Sequence, residues 1–195
     1  MDITITRAKT YFLLADQYFE VAKQLLKILI KNGNSNAGIG NTEKEARSRM
    51  ERNVSQSDAM LFIPAIFNSL QCSELFLKGM LLLKRGQFKI GHDVQEHLQE
   101  LQNAYSQKPS VPKVFVDFYN RQVEIISKYK LQNKIKNTNE LYISLRYPEY
   151  KRTHYNYHAL MYNGAEGITQ FREILKELKA IKKTVLKEYN LAQIK

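Results

Sequence analysis

Two stretches of this chain set an arginine a short step ahead of a histidine. Arg152-Thr-His-Tyr-Asn-Tyr-His158 has five residues between its ends, and Arg85-Gly-Gln-Phe-Lys-Ile-Gly-His92 has six. A histidine near its ordinary pKa of ~6.5 can take up or return a hydroxyl proton at neutral pH. An arginine can hold a phosphate and stabilise charge that grows on its oxygens. Geometry limits the first pair: six positions along an α-helix turn through about 600°, so Arg152 and His158 cannot share one helix face. They cooperate only if Arg152 precedes the regular helix or a second copy completes the site. His154 and His158 are four apart and would share a face, but two histidines without a nearby carboxylate or cysteine make a thin metal site. The chain has no Glu-x-x-His for a di-iron bundle. The readings of Arg152, His154 and His158 are therefore catalysis, metal binding by the two histidines, or an ordinary exposed helix start.

Other candidates surround them. Tyr142, Tyr147, Tyr150, Tyr155, Tyr157 and Tyr162 interleave with Arg146, Lys151 and Arg152. Bases stack on tyrosine while arginine and lysine hold phosphates, and tyrosine also suits a dimer interface. Lys128 to Lys136 is basic without a local acid, either a polyanion contact or a solvated turn. Lys78 lies on an otherwise apolar helix, where it snorkels to solvent or meets a phosphate. Arg146 and Tyr147 pack a helix corner or line a cleft. His92 reads as a helix-start residue ahead of a catalyst. Arg47, Arg49 and Arg52 fall in an exposed, charged stretch.

The elements that position these groups are helices. Apolar residues recur every three or four positions from Arg7 to Lys31, and Asn32-Gly33 ends that run. Residues 33–57 are rich in Gly, Asn, Ser and charge and predict a flexible insertion, with a short exposed helix over Glu43 to Asn53. A second helix starts near Ser57 or Asp58, with Pro64 kinking it or marking a later start, and runs to Gly86. Asp93 with Glu96 has the spacing of a capping box that opens a third. A fourth covers about Val111 to Lys130, and a short fifth runs from Thr138 or Asn139 to Arg146. A last long helix is expected to start between Lys151 and Tyr157. No strand alternation is evident. The expectation is a single all-α domain over residues 1–195, an antiparallel four- to five-helix bundle.

The bulk properties agree. With 195 residues and 44% hydrophobic content the chain can bury a core. No apolar run reaches the ~20 residues of a membrane helix, and the acidic start, Met1-Asp2, does not read as a signal peptide. A cytoplasmic protein without membrane contact is expected. Cys72, the single cysteine, excludes an intrachain disulfide and a multi-cysteine zinc site. The net charge of +11 favours a polyanionic partner, RNA or nucleotide among them.

The segment from Leu70 to Leu101 resembles the HEPN family (higher eukaryotes and prokaryotes nucleotide-binding). The family's Gln-x-x-x-Glu-x-x-Leu-Lys helix, Gly-containing turn, His-Asp-aliphatic step and Leu-rich third helix fall on Gln71, Glu74 or Leu75, Leu77-Lys78, Gly86, His92-Asp93-Val94, Leu98 and Leu101. Leu145-Arg146-Tyr147-Pro148-Glu149 is similar to the Arg-Tyr-Pro-acid step before the last helix of many members. The resemblance implies a helical bundle that forms homodimers and needs no cofactor. It also implies one of two roles. Some members are metal-independent RNases, acting as toxins or phage-defence effectors, with Arg and His near the start of the last helix. That assigns catalysis to Arg152 and His158, with His154 beside them. It leaves Arg146, Tyr147, Lys151, Tyr155, Lys78 and His92 as nucleotide or RNA contacts. Others lack the motif and bind nucleotides, RNA or a protein partner such as a nucleotidyltransferase. Here Thr153 follows Arg152 where the family usually has Asn or Asp, and the 33–57 connection is longer than usual.

Overall fold

The computed structural model describes residues 3–32, 42–45, 58–125, 133–147, 149–150, 152–155 and 164–194. Among them are six helices and one small hairpin, α1 (Ile3–Asn32), α2 (Asp58–Arg85), α3 (Val94–Ala104), α4 (Ser110–Ile125), α5 (Thr138–Ser144), β1 (Glu149–Tyr150), β2 (Thr153–His154) and α6 (Gly164–Gln193), and residues 43–45 are helical as well, within the short helix expected there. The fold is an all-α bundle, as the periodicity predicts. Most of the 33–57 connection lies outside the described residues.

The core face of α1 alternates small and large groups. Ala8, Phe12, Ala15, Phe19, Ala22, Leu26 and Leu29 are buried at alternating spacings of four and three, which keeps one stripe facing the interior. The alanines let α2 approach closely. Arg7 Nη1 lies 3.5 Å from Gly86 O, so the start of α1 meets the end of α2 and the two run antiparallel. Helix α6 also runs antiparallel to α1: Phe12 packs edge-on against Tyr189 at 5.6 Å between ring centroids, and Lys182 Nζ lies 2.9 Å from Asp16. Helices α2 and α6 are therefore parallel neighbours, and Phe62 meets Phe171 near their starts. Ion pairs of Arg121 with Glu177 and Lys108 with Glu188 align α4 antiparallel to α6.

Central position explains the composition of α2. Every residue from Cys72 to Leu82 is buried, so no face is left for a polar stripe. Residues Met60–Arg85 are long and apolar enough to cross a membrane by composition alone, and 61% of that stretch is buried inside the bundle. Helix α2 starts at Asp58 and runs through Pro64, which rules out the later start. Proline deprives the Met60 carbonyl of its helical donor, and both residues are exposed to water, which can serve it. Cys72 is buried, and burial pushes its thiol pKa far up, so it is inert.

The capping box expected at Asp93 forms in half, and a further cap, not expected from the sequence, forms at Asn137. Asp93 accepts from the Gln95 and Glu96 amides at 3.1 and 3.2 Å. Glu96 does not close the box in return; its carboxylate takes Lys89 Nζ at 2.6 Å instead. On α5, Asn137 accepts from the Glu140 amide at 2.9 Å, and Glu140 accepts from the Lys136 amide at 2.7 Å.

The start of the last helix departs from expectation. Glu149–Tyr150 and Thr153–His154 pair as antiparallel strands, with Glu149 opposite His154 and Tyr150 opposite Thr153, so no helix runs through 153–154; residues 156–163, which include the rest of the expected start, lie outside the described residues. The β-favouring residues Tyr150 and Thr153 straddle a two-residue turn. Such a hairpin is marginal alone; Tyr155, directly after β2, packs against the core and anchors it.

The α1–α2 contact gives a test. A Cβ added at Gly79 would sit 2.4 Å from Phe12 Cε1, a buried ring with little room to move. Helix propensity alone favours Gly79→Ala by ~1 kcal/mol, but overpacking costs ~1–3 kcal/mol. Urea denaturation should therefore show Gly79→Ala to be destabilised, and Phe12→Leu in the same chain should recover part of the loss.

Candidate functional site

The hairpin carries two of the sequence candidates. Arg152 stands at the second turn position with φ +63, a left-handed conformation that suits glycine and costs another residue ~1–2 kcal/mol. It is exposed. His154 is 80% exposed, and its Nδ1 lies 3.7 Å from Glu149 Oε2, within ion-pair range once the ring is protonated. Because His154 is in a strand, the helical face that it would share with His158 does not exist. Its carboxylate neighbour is instead the cross-strand residue Glu149, which becomes visible only once these residues are paired as strands. His158 and Lys151 lie outside the described residues. Among the described residues, no group of three or more His, Cys, Asp or Glu is placed to hold a metal ion.

Beside the hairpin is a hollow of about 400 Å³. The strands contribute Tyr150, Thr153 and then Tyr155; the loop before α5 and its first turn contribute Asn133, Lys134, Lys136, Asn139 and Glu140. Burial, with the charges of Glu140 and Tyr150, raises the Tyr155 pKa. Asn139 Oδ1 is enclosed with no hydrogen-bond partner among the described residues. Lys134 has φ +55. It and Arg152 are the only described non-glycine residues with positive φ; both are cations, and both border this part of the surface. The tyrosine-rich stretch and the basic stretch, separate in sequence, thus share one concavity.

A second polar cluster is built on α2. Residues 86–93 run back along the helix, so the turn reaches two to three helical turns before its end. Lys78 Nζ donates to Glu74 Oε1 at 2.5 Å and to Gly91 O at 2.6 Å. His92 Nδ1 contacts the same Glu74 oxygen at 2.9 Å. Side-chain exposure is 1% for Glu74, 10% for Lys78 and 62% for His92. Lys78 does not snorkel: its ammonium is committed to Glu74 and Gly91 and faces the Phe88 ring at 5.6 Å. His92 is tied to the helix, in keeping with an architectural role. Arg146 packs a corner, its guanidinium 5.3 Å from the Phe67 ring centroid and 5.2 Å from that of Tyr142, with Nη2 donating to Gln71 at 3.3 Å. Tyr147 is exposed. Burial raises the Tyr142 and Tyr119 pKa values, with the Glu74 charge adding to it, so both phenols remain neutral beside that carboxylate.

Glu74, Lys78 and His92, three of the residues that carry the resemblance, thus tie one helix to one return turn. The sequence profile of the HEPN domain matches residues 44–188. The chain belongs to the HEPN family. No curated protein and no solved structure matches it. The match takes in α2 to α5, the hairpin and most of α6, and so both polar sites of this HEPN domain. Helix α1 precedes it.

The α2 cluster gives this HEPN domain one acid-sensitive contribution to stability. Burial by itself raises the Glu74 pKa, but the hydrogen bond and charge of Lys78, then His92, outweigh it and hold it below 4.5. A carboxylate depressed in the folded state contributes stability above its unfolded pKa and loses it as pH falls through the folded value. Denaturation midpoints should thus fall more steeply below about pH 4.5 in the native protein than in a Glu74→Gln/Lys78→Met double variant. At pH 7, Lys78→Met alone should cost ~3–5 kcal/mol, because it strands a buried carboxylate, and the double variant should cost less.

Proposed function

We propose that this HEPN protein binds RNA across the hairpin and cleaves it there without a metal ion, in the cytoplasm, as a toxin or phage-defence effector. The observation that carries this reading is Arg152: an exposed cation held in a strained backbone conformation two residues from a histidine backed by a carboxylate. Strain of this kind clusters at functional sites.

The chemistry uses few groups. His154 takes the 2′-hydroxyl proton as that oxygen attacks the adjacent phosphorus. The bond from phosphorus to the 5′-oxygen breaks, and His158 returns a proton to that leaving oxygen. Arg152 stabilises the charge on the non-bridging oxygens. Both Arg152 and His154 are exposed on one copy, so a homodimer that brings two hairpins together would exclude water and strengthen these interactions.

The same exposure favours a second reading: a non-catalytic HEPN module that binds RNA, a nucleotide or a protein partner such as a nucleotidyltransferase. Electrostatic stabilisation is weak in a site open to water. Cleavage of RNA in excess chelator separates the two. Arg152→Ala and His158→Ala should each lower the rate by ~100-fold or more, and equal rates for wild type and both variants would remove the catalytic assignment. Arg152→Gly should lose the activity equally while its folding stability stays within ~1 kcal/mol of wild type, since glycine fits φ +63 without strain.

A further inference from the structure

The hollow beside the hairpin has the groups to hold more than a phosphate. At about 400 Å³ it lies toward the small end of ligand sites. Tyr150 lines it, beside the core-packed Tyr155, and gives an aromatic surface against which a base can stack, and the exposed Lys134 and Lys136 at its rim suit flanking phosphates. Glu140 gives it a preference. One carboxylate oxygen takes the Lys136 amide at 2.7 Å, and a carboxylate has further lone pairs to satisfy. A carboxylate on the wall of so small a space calls for an N–H-rich ligand edge. Adenine, cytosine and guanine each present an exocyclic amino group; uracil presents a single N–H between two carbonyls, which would face the carboxylate.

We propose that this hollow seats one base of the bound strand next to the hairpin tip and selects amino-bearing bases over uracil. The proposal rests on the reading that the hairpin engages RNA. Tyr150 and Thr153 flank the turn that carries Arg152, so a base seated here brings its own phosphate to the tip. Tyr150 supplies stacking and Glu140 supplies selection.

Binding of labelled 2′-O-methyl tetranucleotides of A, C or U, which resist cleavage at the 2′ position, tests this by fluorescence anisotropy on the full chain at low salt. The A and C strands should bind ~10-fold tighter than the U strand. Glu140→Gln keeps the side-chain shape and the Lys136 contact but can also turn its amide to donate, so it should shrink the difference to under ~3-fold. Tyr150→Ala should weaken all three strands by ~10-fold, and Tyr150→Phe should restore them. The proposal is overturned if U binds as tightly as A and C, or if Tyr150→Ala leaves all three within about two-fold. Selective binding without cleavage of natural RNA would remove the nuclease reading and leave the hollow's role standing. Cleavage without base discrimination would do the reverse.

Discussion

Much of this fold depends on how one buried ammonium is satisfied. Lys78 lies mid-way along a helix that is buried on every side, where an unpaired charge is untenable. It needs a carboxylate one turn earlier, which Glu74 supplies, and a carbonyl, which only the returning chain can supply. That second need brings residues 86–93 back along α2 in place of a tight turn at the helix end. Helix α3 then starts beside the middle of α2 and runs in the same direction. Glu74 is left with Lys78 and His92 as its partners, so cation, carboxylate and turn stabilise one another, and removing any one exposes the others to the cost of burial.

Helix positions were readable because each carries its own periodic signal. The α1 stripe, the apolar α2 and the Asp93 cap are local patterns. The hairpin was not readable: strands of two residues have no period, and Tyr150 to Tyr157 sits just where a helix would naturally start. That error hid Glu149. On a helix, Glu149 and His154 are five apart and diverge, but as a cross-strand pair they face each other. Lys78 was misjudged for a related reason. Snorkelling is the usual fate of a lysine on an apolar helix, and nothing in the spacing reveals that a carbonyl thirteen residues later returns to meet it. The tyrosines and lysines near residues 134–155 were legible as types but not as neighbours, because a loop and a hairpin bring them together.

The two polar sites divide the family's features. The α2 cluster uses residues that carry the resemblance: Glu74 and Lys78 are enclosed and, with His92, bound to one another. The hairpin region carries exposed arginine, lysine, histidine and tyrosine around a concavity. Architecture and recognition are thus separated along the chain, and side chains near the hairpin can change with little effect on the bundle.

The parallel arrangement of α2 and α6 has a consequence for how the chain reaches this state. Helix α1 touches α2 through a connection of moderate length, but it meets α6 through residues from opposite ends of the sequence, Phe12 with Tyr189 and Asp16 with Lys182. Closing so large a loop is entropically costly and slow to be rewarded. The contacts of α6 with α1 thus carry a far larger loop-closure cost than those within the α1–α2 pair and its clamped turn, so the last helix is the part of the bundle whose attachment the chain's own connectivity helps least.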